Sequence, residues 1–115
     1  MITQFYIFEN KLETITIGNN YFSVGDYIVY INFQGIARIA RIGLIKKGKS
    51  SIMQSDFIKI QAILQDEENN DVQISLTSNY IQNIENSSKL ICVTKDLNRA
   101  KEMYQKAKIQ TRFDL

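Results

Sequence analysis

The chain has 115 residues, 44% hydrophobic and 23% charged, with a formal net charge of +2; this bounds it to one globular domain that can bury a core without disulfides. It contains no histidine and a single cysteine, Cys92, which excludes an internal disulfide, a cysteine zinc cluster and histidine-based acid–base catalysis. The opening MITQFYIFENKLE lacks the basic region of a signal peptide, and uncharged runs such as residues 15–24 are too short and polar to cross a bilayer, so an intracellular protein, cytoplasmic or nuclear, is expected.

In chain order, residues 5–8 read as a strand, Glu9-Asn10-Lys11 as a tight turn, and residues 12–17 alternate as a half-buried strand. The first 20 residues are therefore expected to form an N-terminal hairpin. Gly18-Asn19-Asn20 is a turn cluster. Residues 27–32 and 36–46 are rich in β-branched and aromatic side chains and flank Phe33-Gln34-Gly35, which predicts a second hairpin. In its second strand a period-two count gives each face one arginine among apolar residues, Arg38 on one and Arg41 on the other. A flat sheet would not accept this. A strand that bends around a small core, with a bulge near Gly43, would let both arginines reach solvent.

Residues 46–55 (KKGKSSIMQS) read as a polar loop, and residues 56–65 as a strand. Residues 65–71 read as an acidic turn, and residues 72–76 as a strand pairing back. A short helical turn is expected over 77–84 and a last strand over 90–93. Asp96 is a candidate N-cap. After it Leu97, Ala100, Met103, Tyr104 and Ala107 mark one face of a C-terminal helix. Three regions follow from this reading: residues 1–20, 21–94 and 95–110.

Several short, strongly bent strands entered by Val24-Gly25-Asp26 resemble an SH3-like small barrel. Two families in that group share further residues. Gly25-Asp26-Tyr27-Ile28, Ile36-Ala37-Arg38-Ile39 and the stretch from Asn83-Ile84 to Cys92-Val93 are similar to the motifs of bromo-adjacent homology (BAH) domains. The tryptophan usual in that family is absent. Gly25-Asp26-Tyr27-Ile28-Val29-Tyr30 is similar to the opening strand of the CarD-type RNA-polymerase-interacting domain, with a turn one residue longer. The resemblance covers about residues 21–94. It implies a mainly β fold, an SH3-like barrel of about five to seven short strands with the N-terminal hairpin and one C-terminal α-helix. It also implies a binding module acting in transcription or chromatin.

Chemistry that would make an enzyme is hard to find. Cys92 sits in Leu-Ile-Cys-Val, an apolar setting without a base, and is expected to be buried and structural. Asp66, Glu67, Glu68 and Asp71 lack the spaced oxygens and glycine of a calcium loop and read as a solvated turn. No catalytic residue, metal or cofactor is expected. Charge is blocky: residues 21–50 carry five basic groups against Asp26, net +4, and residues 51–88 carry Lys59 against six acids, net −5. The basic block holds Arg38, Arg41, Lys46, Lys47 and Lys49 beside Tyr27, Tyr30 and Phe33. Cations interleaved with ring faces are what a nucleic-acid groove needs, so these eight residues are the expected partner surface. Strand-edge charges that discourage aggregation explain the same pattern without a ligand. The alternative function is a small inhibitor, immunity or adaptor protein, of a kind phages encode, that masks a protein partner. The C-terminal helix has too small an apolar face for a membrane role.

Overall fold

The computed structural model describes residues 6–50, 56–66 and 70–113. Within them the elements run β1 (Tyr6–Leu12), β2 (Thr14–Ile17), β3 (Asn20–Ser23), β4 (Tyr27–Ile31), β5 (Ala37–Ser50), β6 (Asp56–Gln65) and β7 (Asn70–Thr77). Helix α1 (Ser78–Asn86), strand β8 (Leu90–Thr94) and helix α2 (Leu97–Phe113) complete the order. The fold is mainly β. One sheet has the order β7-β6-β5-β4-β8, with β1 added beside β5, and β2 pairs with β3 in a separate hairpin. Among the described residues no pairing joins β7 to β8, so the sheet is open. None of the described helices is long and apolar enough to cross a membrane.

β5 is the spine. Its first residues pair with β4 from Ala37↔Ile31 to Arg41↔Tyr27, and its later ones with β1 from Ile45↔Leu12 onward. Its other edge meets β6 from Ala40↔Leu64 to Lys49↔Asp56. The register shifts between Ile42 and Leu44, so the expected bulge at Gly43 is present. A bulge inserts one residue and reverses the inside–outside alternation beyond it. Ile42 and Ile45, three apart, therefore both point into the main core with Phe22, Ile28, Tyr30, Ile60, Leu76, Ile81 and Ile84. The opposite face of β4 and early β5 carries Val29, Ala37 and Ile39, covered by Ala100, Tyr104 and Ala107 of α2. Burial on both faces is why residues 27–31 run apolar without alternation.

The expected N-terminal hairpin is a different one. Glu9, Asn10 and Lys11 lie inside β1, opposite Gly48, Lys47 and Lys46; their backbone groups find partners on β5, so no turn forms there. The chain reverses instead at Gly18-Asn19, between Ile17 and Asn20. Gly18 has φ +60, and a glycine at the first position of a two-residue turn suits the strand twist. Phe5 lies outside the described residues. Helix α1 docks this turn. The Asn19 N–H donates to the Glu85 carboxylate, at 3.1 Å to Oε2, and the Asn20 side-chain amide donates to the same oxygen.

Other boundaries follow the expectation more closely. β6 occupies residues 56–65 as read, and β7 pairs back along it. The expected loop from 46 onward is strand as far as Ser50, paired on both edges through Lys49, and residues 51–55 lie outside the described ones. The expected helical turn is a nine-residue helix whose N-cap, Thr77, accepts the Tyr80 N–H at 3.1 Å. Asp96 caps α2 through the Asn98 and Arg99 N–H groups. The Gly25-Asp26 pair that carries the family resemblance has a structural task. Gly25 takes φ +94, and its N–H donates to the Ile42 carbonyl at 2.8 Å. The buried Asp26 carboxylate accepts the Ser23 N–H at 3.0 Å and lies 3.1 Å from the Lys95 ammonium.

Phe22 anchors the β2–β3 hairpin, fully buried in the main core. Phe22→Ala is expected to cost about 3–5 kcal/mol by urea denaturation, the range for truncating a buried phenylalanine. A loss below about 1 kcal/mol would mean that the hairpin is not part of the core.

Candidate functional site

The β4–β5 turn is rigid and holds one large apolar side chain in water. Asn32 organises it: its side-chain Oδ1 accepts the N–H groups of Gln34 and Ile36, each at 3.0 Å. Its carbonyl accepts the Gly35 N–H at 2.9 Å, and Gly35 takes φ +80. A side chain closing its own backbone turn is the usual asparagine device. Phe33, the next residue, is 53% exposed.

Phe33 is braced from below. The Tyr80 ring of α1 meets it edge-on, with centroids 5.5 Å apart and planes at 83°. Tyr80 in turn meets the buried Tyr30 ring at 6.2 Å and 85°. Such edge-to-face pairs are worth about 0.5–1.5 kcal/mol beyond burial. The Lys89 ammonium stands 6.0 Å from the Phe33 centroid, at the limit of cation–π attraction. Ile36, at the end of the same turn, is also exposed. The arrangement is a small apolar patch with a cation at its rim, fixed before any partner arrives.

Arg38 belongs to the foundation of this patch. It stands opposite Tyr30 in the β4–β5 register, and its guanidinium lies 2.5 Å from Asp66 Oδ2. Asp66 is 4% exposed and Arg38 20%. The second oxygen of Asp66 accepts the Ile39 N–H at 2.9 Å, so the carboxylate extends the β5–β6 ladder past the end of β6. Burial pushes the Tyr30 phenol far above the ordinary tyrosine range, with Tyr80 adding to the shift and the positive charge of Arg38 opposing it. Tyr80 is raised for the same main reason, again against Arg38.

The eight expected residues do not form one surface. Phe33 alone is a freely presented aromatic. Tyr30 is inside the core, and Tyr27 is half-buried against the α2 cluster. Arg38 is half-buried and ion-paired to Asp66 rather than solvated as expected. Arg41 is exposed, on the opposite face of β5, opposite Tyr27 and Ile63. Lys46, Lys47 and Lys49 occupy the far half of β5. At roughly 3.3 Å per residue they lie tens of ångströms along the strand from Phe33. Strand alternation also separates Lys46 from Lys47 and Lys49, which lie on the other face. Tyr80, Lys89 and Asp66 complete the patch, and no spacing linked them to Phe33 in the sequence. Cys92 is half-buried rather than fully buried, packed against the α2 cluster. Among the described residues no three of Cys, Asp and Glu converge on a metal position, and residues 67–69 of the acidic turn lie outside them.

The two arginines are therefore expected to behave differently. Arg38→Ala leaves a buried carboxylate unpaired and should cost about 3 kcal/mol, whereas Arg41→Ala should stay within about 0.5 kcal/mol; urea denaturation measures both, and equal losses would refute the assignment. A second measurement uses pH. Both phenols have raised folded values, so the stability they contribute is complete below the unfolded tyrosine value near pH 10 and is lost as pH rises toward the folded values. In a near-ultraviolet titration Tyr30 should ionise only as the protein unfolds, so the parent and Tyr30→Phe should titrate alike until unfolding begins; a difference between them in the folded state would contradict this.

No protein-family model, no curated protein and no solved structure matches this chain.

Proposed function

We propose that the chain is a non-catalytic binding module that grips a protein partner with the Phe33–Tyr80–Lys89 end of the molecule, within a nucleic-acid-associated assembly of the transcription or chromatin kind. The observation that carries the proposal is Phe33. A 53% exposed phenylalanine on a turn closed by its own asparagine, and braced edge-on by a helix, loses little freedom on binding. Ordering costs are a main reason why buried area fails to become affinity. Aromatic and arginine anchors that fill a partner's pocket are also enriched among the hot spots of protein interfaces.

The residue chemistry supports the same reading. The sequence has no histidine, Cys92 packs on α2, and the buried carboxylates Asp26 and Asp66 are committed to backbone N–H groups and cations. The transcription or chromatin setting rests on the BAH and CarD resemblance, whose Gly25-Asp26 motif also has the structural account given above. We read the strand order β7-β6-β5-β4-β8, with a helix before the last strand, as that of an SH3-like barrel, and the module as intracellular.

The experiment is capture of the partner from the native cell followed by calorimetry on the purified pair. Phe33→Ala is expected to weaken binding by about 2 kcal/mol, or roughly 30-fold. Tyr80→Ala should weaken it too, while Lys47→Ala leaves it within about twofold. If Phe33→Ala and Tyr80→Ala both bind like the parent, the surface lies elsewhere and the proposal fails.

A further inference from the structure

The sheet ends at β7, whose second edge is unpaired among the described residues. β7 pairs with β6 alone, from Thr77↔Lys59 to Asn70↔Gln65. Helix α1 leaves it at Thr77 and turns inward, with Ile81 and Ile84 in the main core, and helix α2 packs elsewhere, on Val29, Ala37 and Ile39. An exposed row of backbone N–H and C=O groups is a template for another strand, and folded proteins guard it with charge, proline, brevity or a cover. β8, at the other end of the strand order, is five residues long and bounded by Lys89 and Lys95. β7 is eight residues long, and from Val72 to Ile84 the chain carries no charge, glycine or proline.

This edge fits a second copy of itself. By alternation Val72, Ile74 and Leu76 share the inner face of β7, and Gln73, Ser75 and Thr77 the outer one. Two copies run antiparallel about a two-fold axis at Ile74 would set Val72 opposite Leu76, Gln73 opposite Ser75 and Asp71 opposite Thr77. Inner residues then meet inner residues and outer ones meet outer ones, so the register agrees with the pleat of both sheets. No like charges face each other, which directly opposed strand positions require. Val72, 46% exposed, gains an apolar neighbour across the axis. The one charge on the strand is also matched. Thr77 is the N-cap of α1, whose first turn holds no acidic residue, so Asp71 of the second copy comes beside the positive end of that helix. Residues 72–77, VQISLT, further have the composition of self-pairing segments: apolar or β-branched positions, no charge, no proline and no glycine. A foreign strand would use the same backbone groups; agreement in phase, charge and composition singles out the second copy.

We infer that the chain forms a two-fold dimer by antiparallel β7–β7 pairing, which joins two sheets into one. Such an interface is isologous, so it closes at two copies instead of growing into a fibre. One added pair of strands buries less than the roughly 1,000 Å² of a standing interface, which makes the association weak and reversible. Phe33, on the β4–β5 turn, takes no part in it.

The test is sedimentation velocity of the whole chain over a range of concentrations. The weight-average mass should rise from one chain toward two between about 20 µM and about 1 mM, as mass action on a weak dimer requires. Gln73→Lys combined with Ser75→Lys sets positive charges opposite each other across the axis and should leave a monomer, as should Gln73→Glu combined with Ser75→Glu. An equimolar mixture of these two double variants should regain the dimer, a rescue that misfolded chains would not show. Asp71→Asn, which suits the left-handed backbone at φ +69, should weaken the dimer about two- to fivefold. Phe33→Ala and Tyr21→Ser should leave it unchanged. The inference is overturned if the parent is monomeric at about 1 mM, if either double variant dimerises like the parent, or if their mixture stays monomeric. It is equally overturned if assemblies larger than two copies accumulate, which would mean head-to-tail pairing, or if the parent stays monomeric and a captured protein partner protects the β7 amides from hydrogen exchange, which would assign the edge to a foreign strand.

Discussion

The rest of this structure depends on the alternation of β5 being broken once. Before Gly43 the even positions lie on the inner face, Ile42 in the main core and Ala40 in a small cluster with Ala62 and Leu64; beyond it the odd one, Ile45, reaches the main core. One inserted residue lets a 14-residue strand serve two different neighbours on one edge, β4 and then β1. Each half keeps its apolar side inward. Were Gly43 paired regularly instead of bulged, Ile45 would turn to water and Lys46 would come to the core face opposite Ile58. The penalty would be the burial of a lysine plus the loss of a buried isoleucine, several kcal/mol against a total stability of about 5–15. The same break sets Lys46 on the outer face with Arg41, although the two are five residues apart and a regular strand would put them on opposite sides.

Much of this was legible, and the misses share a cause. Residues 56–65, the bulge at Gly43, the Asp96 cap and the α2 face were readable because local alternation, a glycine or a capping side chain announces them. The N-terminal hairpin was misread because Glu9-Asn10-Lys11 has turn-like composition while its partners Gly48, Lys47 and Lys46 lie 35 to 39 residues away. Residues 46–50 look like a loop by propensity, being lysine, glycine and serine. They are strand because both edges are paired, and tertiary context overrides β-propensity readily.

The candidate site was half legible for the same reason. Phe33 stood out as an aromatic on a glycine turn. The ring that braces it, Tyr80, the cation at its rim, Lys89, and the carboxylate that holds Arg38, Asp66, are all brought in by non-local pairing. Composition counted Arg38 and Arg41 as equals, although one is a structural ion pair and the other is solvated. Basic residues clustered in sequence were dispersed along and across one strand.

The docking of Glu85 on the β2–β3 turn bears on descent. Gly18 combines φ +60 with a position where an added Cβ would meet the Glu85 carboxylate at 2.5 Å, and that carboxylate is held by Asn19 and Asn20. A lineage that gives position 18 a side chain must also move or shorten position 85, and one that loses the acid leaves position 18 constrained by its left-handed backbone alone. Two sites 67 residues apart are thereby bound to change together. In a fold whose strands can exchange isoleucine, valine and leucine freely, that pairing would outlast the apolar sequence around it as a mark of common ancestry.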